Sequence, residues 1–182
     1  MIWKHPEGDV KLTQDTKYPE EETSTLTISM QRRTEFTLNF RVPEWAHEMS
    51  AKINDVAAGI KCKPGTWASM NRIWNPGDRV EIRIPLRLRM QAIDRVHTDV
   101  VAIVRGPVAM VLESDYHEPL FRLPDNDEDL NRWIIPDSVP GVFRVELPGG
   151  ARVRSKVRPF YDIVESYNYK MYFDRKALPS PL

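Results

Sequence analysis

The commonest pattern along this chain is a period of two. Leu26, Ile28 and Met30 alternate with Thr27 and Ser29, and Phe36, Leu38, Phe40 and Val42 alternate with Thr37, Asn39 and Arg41. An extended segment with that spacing turns one side to a core and the other to water, so two half-buried strands are predicted, joined as antiparallel neighbours near Gln31 to Glu35. The longest run is Val80, Ile82, Ile84, Leu86, Leu88 and Met90, interleaved with Glu81, Arg83, Pro85, Arg87 and Arg89. An α-helix could not bury that set on one face. Pro85 has no N–H to give a ladder, which predicts an edge position or a bend there.

Turn chemistry punctuates these runs. Asn75-Pro76-Gly77-Asp78 puts Pro and Gly at the second and third positions of a type II turn, so Trp74 closes one strand and the segment reads as a hairpin. Asp99 to Val104 and Val108 to Glu113 are Val-rich runs joined by Arg105-Gly106-Pro107. Later strands are expected over Val142 to Leu147 and Tyr167 to Phe173, with Pro148-Gly149-Gly150 as a turn. Helical signal is scarce: Glu44 to Ser50 suits at most a turn or two, and Leu120 to Pro140 reads as loop. Many short strands separated by turns predict an all-β chain of two abutting antiparallel β-sandwich (jelly-roll-like) domains, residues 1–95 and 96–182, with the change of register near Ile93 to Thr98 as the boundary.

The composition fits folded β-structure. Of the 182 residues 41% are hydrophobic, which supports a core, and the 15 prolines exceed the roughly 5% usual share, in keeping with many loops and edges. Lys plus Arg and Asp plus Glu are equal at 26 each. Residues 1–97 carry 15 basic and 13 acidic side chains and the remainder 11 and 13, so neither half is a charged arm and a nucleic-acid partner is not expected. No apolar stretch reaches the ~18 residues of a membrane span, and the first residues lack the apolar core of a signal peptide, so no membrane partner is expected and the compartment is undetermined.

Candidate chemistry is sparse. Cys62 is the single cysteine, which removes an intrachain disulfide and any site needing two thiolates. Lys61 and Lys63 beside it would lower its thiol pKa, but no His is near in sequence and an inert loop thiol is the plainer reading. His5, His47, His97 and His117 share no metal-ligand spacing; Glu44-x-x-His47 is half of a carboxylate–histidine pattern with no second half. Asp125, Asp127 and Asp129 have the spacing that opens a calcium loop, yet Leu130 stands where the Gly belongs and Pro136 where the closing Glu belongs, so a solvated acidic loop is expected. No catalytic, cofactor-binding or metal residue and no cofactor is therefore assigned. Of Trp3, Trp45, Trp67, Trp74 and Trp133, most suit core packing; Trp67 and Trp133 are the candidates for stacking on a sugar.

Several segments in order have a family look. Tyr18-Pro19, Phe36-x-Leu38-x-Phe40-Arg41-Val42-Pro43-Glu44-Trp45-Ala46, Ile53-Asn54-Asp55, Trp74-Asn75-Pro76-Gly77-Asp78-x-Val80, and Arg105-Gly106-Pro107-Val108 through Leu112-Glu113 resemble the C-terminal β-region of glycoside hydrolase family 127, the β-L-arabinofuranosidase-type enzymes. The resemblance runs over about residues 3 to 113, and the aromatic tail from Pro159 to Phe173 is compatible with it. It implies a parent enzyme in which an (α/α)6 barrel carries a cysteine nucleophile and a zinc-bound cysteine and glutamate cluster, followed by β-sandwich domains. Cys62 lies in the β-region and does not match that nucleophile, so no catalytic residue carries over.

The reading that follows is a non-catalytic ancillary region, not an enzyme by itself, that packs on and stabilises a catalytic barrel absent from this chain. The chain would then be a piece separated from its catalytic part or a truncated reading frame. The alternative is a carbohydrate-binding module recognising arabinose-containing glycans through exposed aromatics. A third is a stand-alone hydrolase using an unrecognised acidic pair.

Overall fold

The computed structural model describes residues 1–113, 122–150, 152–164 and 168–176. Its contacts divide the chain into two compact units, Met1–Leu86 and Arg87–Leu182. Among the described residues the architecture is all-β apart from one short helix and a single 3-10 turn.

The first unit contains β1 (Ile2–His5), β2 (Gly8–Thr16), β3 (Thr23–Ser29), β4 (Thr34–Arg41), β5 (Ser50–Ile53), β6 (Val56–Ala57), β7 (Trp67–Trp74) and β8 (Arg79–Arg83). Six of these form one antiparallel sheet in the order β1-β2-β3-β8-β5-β6, while β4 and β7 pair with each other as a separate ribbon. Alternation sets the layers. Val10, Leu26, Ile28, Val80 and Ile82 of the sheet and Leu38, Met70 and Trp74 of the ribbon share one buried cluster, so sheet and ribbon face each other as a sandwich.

Two sequence expectations need correction here. The β3 and β4 runs are not paired neighbours: β3 pairs with β2 and β8, and β4 with β7. Nor do β7 and β8 make a hairpin. The type II turn between them is present, with Gly77 at φ +88° and Asp78 N donating to Asn75 O at 3.1 Å, but it carries the chain from ribbon to sheet. The same alternation suits a hairpin or a crossing between layers, because both bury every second residue.

The long run from Val80 to Met90 also divides. Strand β8 ends at Arg83, the chain bends through Pro85, and β9 (Leu88–Ala92) pairs with β10 (Val100–Arg105) in the second unit. The division thus falls after Leu86, whereas the sequence pattern put the break at residue 95; residues 93–98 are the loop between β9 and β10.

The second unit continues with β11 (Val108–Glu113), α1 (Asp127–Trp133), β12 (Ile134–Pro136), β13 (Phe143–Glu146), β14 (Arg152–Pro159), β15 (Tyr169–Lys170) and β16 (Tyr172–Asp174). The two Val-rich runs joined by Arg105-Gly106-Pro107 are strands β10 and β11, which form a hairpin with Arg105 opposite Val108 and Gly106 at φ +58°, as a tight two-residue loop requires. The eight strands make one sheet whose path runs β12-β13-β14-β11-β10-β16, with β9 on β10 and β15 on β11. The described strands of this unit thus belong to one sheet, and Leu88, Val101, Ile103, Met110, Leu112, Val145 and Val157 from it share one buried cluster.

Helix α1 lies where the sequence reads as loop. Asn126 caps it, its side chain accepting from Asp129 N at 2.8 Å, and Asp127, Glu128 and Asp129 place negative charge on its first turn. Leu130 is its buried anchor. The helix packs on β9 and also on β12 and β13, and Leu130 joins Ile103, Met110, Leu112, Val145 and Val157 in the buried cluster. Its polar side chains finish the exposed edge of β9: Asn131 accepts from Leu88 N at 3.2 Å and donates to Leu88 O at 2.7 Å, and Asp127 accepts from Met90 N at 2.8 Å. An unpaired edge is thereby given side-chain partners in place of a strand. By contrast, Glu44 to Ser50 forms turns and no helix, with Ala46 and Met49 held in the first core.

Candidate functional site

Two of the family-like segments, Ile53-Asn54-Asp55 and Trp74 to Val80, are tied together by a polar clasp. Asn54 and Asp55 sit at φ +49° and +67°, the two central residues of the tight turn between β5 and β6, where Asn and Asp are tolerated in the left-handed region. From there Asn54 Nδ2 donates to the buried Asp78 carboxylate at 2.8 Å, and its Oδ1 accepts from Arg79 N at 2.9 Å. The second Asp78 oxygen accepts from Asn75 N at 2.9 Å. One carboxylate thus locks the Asn75–Asp78 turn to the Asn54 turn, and both to β3, since Gly77 N donates to Ile28 O at 2.8 Å.

Beside the clasp lies an aromatic stack. Trp74 is wholly buried, its indole N–H donating to Phe36 O at 3.0 Å, with the Phe36 ring stacked on it at 5.6 Å and Trp3 edge-on to Phe36 at 5.3 Å. Trp45 packs on the same core. These motif residues are spent on folding the first unit.

The two sugar-stacking candidates fall in different units. Trp67 opens β7 in the first unit and is 64% exposed; Trp133 ends α1 in the second unit, half-buried against that unit's core. Cys62 is half-buried on the first core, and burial pushes its thiol up, against the lowering that Lys61 and Lys63 suggested. Asp125, Asp127 and Asp129 do not converge: Asp127 faces β9, Asp129 pairs with Arg132 at 3.1 Å, and Asp125 lies 3.4 Å from Arg122. Among the described residues no three His, Cys, Asp or Glu side chains gather as a metal site. His5 accepts from Glu7 N at 3.3 Å, His47 and Glu44 are exposed, and His97 Nδ1 lies 2.8 Å from Asp94, whose carboxyl is held down by hydrogen bonds from the His97 backbone and ring. His117 lies outside the described residues.

What the structure adds is the outer face of the β4–β7 ribbon. Cross-strand register sets Glu35 opposite Ile73, Thr37 opposite Asn71, Asn39 opposite Ser69 and Arg41 opposite Trp67, all eight exposed. Thr37 Oγ1 donates to Asn71 Oδ1 at 3.2 Å and Ser69 Oγ to Asn39 Oδ1 at 2.7 Å. The Trp67 end is fixed by the Lys63–Thr66 turn, with Arg41 donating to Gly65 O and Val42 N to Thr66 O at 2.9 Å.

Residues 2–86 match the family model described as Beta-L-arabinofuranosidase, GH127 middle domain. The first unit is therefore matched to a middle domain, where the sequence resemblance placed it in a C-terminal region. Solved structures extend the likeness in fold to both units. A protein described as a glycoside hydrolase superposes with a TM-score of 0.70 at 21% identity, over 94% of this chain and 33% of its own. A GH127 β-L-arabinofuranosidase from Geobacillus stearothermophilus T6 gives 0.64 at 22%, over 94% and 31%, and a further GH127 β-arabinofuranosidase gives 0.61 at 18%, over 95% and 33%. This chain spans about a third of the length of those proteins. No curated protein matches it.

Proposed function

We propose that this chain is a non-catalytic β-region of a GH127-like glycosidase, a middle domain followed by a second β-unit, which packs on and stabilises a catalytic barrel. The observation that carries this reading is the family-model match over residues 2–86, whose end coincides with the end of the first compact unit. The likeness of nearly the whole chain to a third of larger glycosidases is in keeping with it. So is the use of the family-like residues: Trp74 and Asp78 are buried and bonded inside the fold, and Asn54 is bonded to Asp78.

Two measurements test it. The chain alone is expected to release no aglycone from aryl β-L-arabinofuranosides, and to co-elute with, and raise the Tm of, a separately produced GH127 helical barrel. Turnover by the chain alone that disappears in Cys62→Ala would overturn the proposal. So would the absence of any association with barrels across several family members.

A further inference from the structure

We infer that the outer face of the β4–β7 ribbon is a binding site for a neutral oligosaccharide, with Trp67 as its stacking platform. This goes beyond the ancillary role and does not depend on it. Three features of the face point to such a ligand.

The first is the tryptophan. A 64% exposed indole is the largest apolar group this face offers, and the chain on either side of it is held by the Lys63–Thr66 turn and the Arg41 bond to Gly65 O. A rigid, uncovered aromatic plane of this kind meets the C–H face of a sugar ring at little ordering cost. The second is the polar ladder beside it. Asn39 and Asn71 each use the side-chain oxygen to accept from a neighbouring hydroxyl, so their NH2 groups point onward as donors, and Ser69 and Thr37 retain acceptor lone pairs. These two rows therefore offer donors and acceptors side by side, the match for a ring carrying adjacent hydroxyls.

The third is charge. One cation, Arg41, and one anion, Glu35, stand at opposite ends with only neutral side chains between them, which suits an uncharged ligand and gives no track for phosphates. Exposed rows follow every second residue, so the four rows extend about 20 Å, room for several sugar units in line. Ile73 at the far end is 49% exposed and offers a second, smaller apolar contact.

The test is a calorimetric titration of the whole chain with arabino-, xylo- and gluco-oligosaccharides, with tryptophan fluorescence followed in parallel. At least one sugar is expected to bind with a millimolar or tighter Kd. Trp67→Ala should abolish detectable binding, Asn39→Ala and Asn71→Ala should each weaken it roughly tenfold, and Trp67→Phe should restore part of it. Ile2→Ala, exposed elsewhere in the same unit, should leave it unchanged. Because Trp67 is exposed, its substitution should not alter the circular dichroism, so loss of binding reads the site. No heat or fluorescence change with any sugar overturns the inference, as does binding that survives Trp67→Ala. If Trp67→Ala instead weakens association with a catalytic barrel while sugars give no signal, the face is a protein contact and the inference falls while the ancillary role stands.

Discussion

Removing the Asp78 carboxylate should loosen the first unit by an amount that its bonds set in advance. Asp78 is 4% exposed and accepts two hydrogen bonds, from Asn54 Nδ2 at 2.8 Å and Asn75 N at 2.9 Å. A hydrogen bond to a charged group contributes about 1.5–3 kcal/mol. Asn54 is itself exposed, so water replaces its lost partner and its share lies at the low end; Asp78→Ala is then expected to cost about 3 kcal/mol. Asp78→Asn, which keeps one acceptor oxygen, should cost about half of that. The informative partner is Asn54→Gly, since glycine keeps the φ of +49° without strain while deleting the side chain. Urea unfolding followed by tryptophan fluorescence reports chiefly on this unit, which holds Trp3, Trp45, Trp67 and Trp74. The double-mutant cycle should return a coupling of about 1–1.5 kcal/mol with an unchanged m-value. Additivity within about 0.3 kcal/mol would show that the two turns are not joined through this carboxylate, and the reasoning would fail.

Further expectations follow from other contacts. Asn131→Ala leaves Leu88 N–H and C=O without their side-chain partners, so the second unit should lose about 2 kcal/mol and the Leu88 amide should exchange faster in hydrogen-exchange NMR; unchanged protection would refute the edge-capping role. The Lys156 ammonium at 2.7 Å, with Ser138 N–H, holds the Asp137 carboxyl down at about 2. A depressed carboxylate stabilises the fold above its unfolded pKa near 4 and loses that contribution as pH falls towards 2. NMR titration should place Asp137 there, and Lys156→Met should raise it. The Cys62 thiol, pushed up by burial, should react with a disulfide reagent at pH 8 more slowly than in the urea-unfolded chain; equal rates would place it in open solvent.

Much of the first unit was legible because a strand needs only a period of two, and β3, β4 and β8 bury the residues that the alternation named. Which strand pairs with which was not legible. Inward residues at Leu26 and Leu38 satisfy a shared hairpin or two facing layers equally well, and only the competition for partners across the whole unit decides. Helix α1 is a different failure. Asn126 followed by three acidic residues and then by Arg132 is a helix start and stop written out in full, but the helix has only seven residues and a single buried anchor, Leu130, too few to show a 3.6-residue period. Its acidic first turn therefore read as a loop resembling a calcium site.

The candidate site turns on a parity that the sequence did contain. Trp67 and Trp74 are seven residues apart, an odd number, so in one strand they must face opposite ways. Once the Asn75–Asp78 turn places Trp74 at the end of a strand whose large aromatic must be buried, Trp67 is directed outward, and with it Ser69, Asn71 and Ile73. The partner row on β4 follows from register, Arg41 opposite Trp67 through Thr34 opposite Trp74. That register was the missing piece, since pairing β4 with β3 would have put Asn39 and Thr37 beside a different set of side chains. Trp133 had no such logic, because its direction depends on a helix that the pattern hid. The proposed binding face and the face that folds are thus the two sides of one ribbon: Trp74 is buried against Phe36, and the alternation that buries it leaves Trp67 uncovered. A variant that disrupts the inner stack, such as Trp74→Ala, should therefore abolish sugar binding as well as cost about 3–5 kcal/mol of stability, whereas Trp67→Ala should abolish binding alone. Equal losses of stability in the two variants would refute that division of labour.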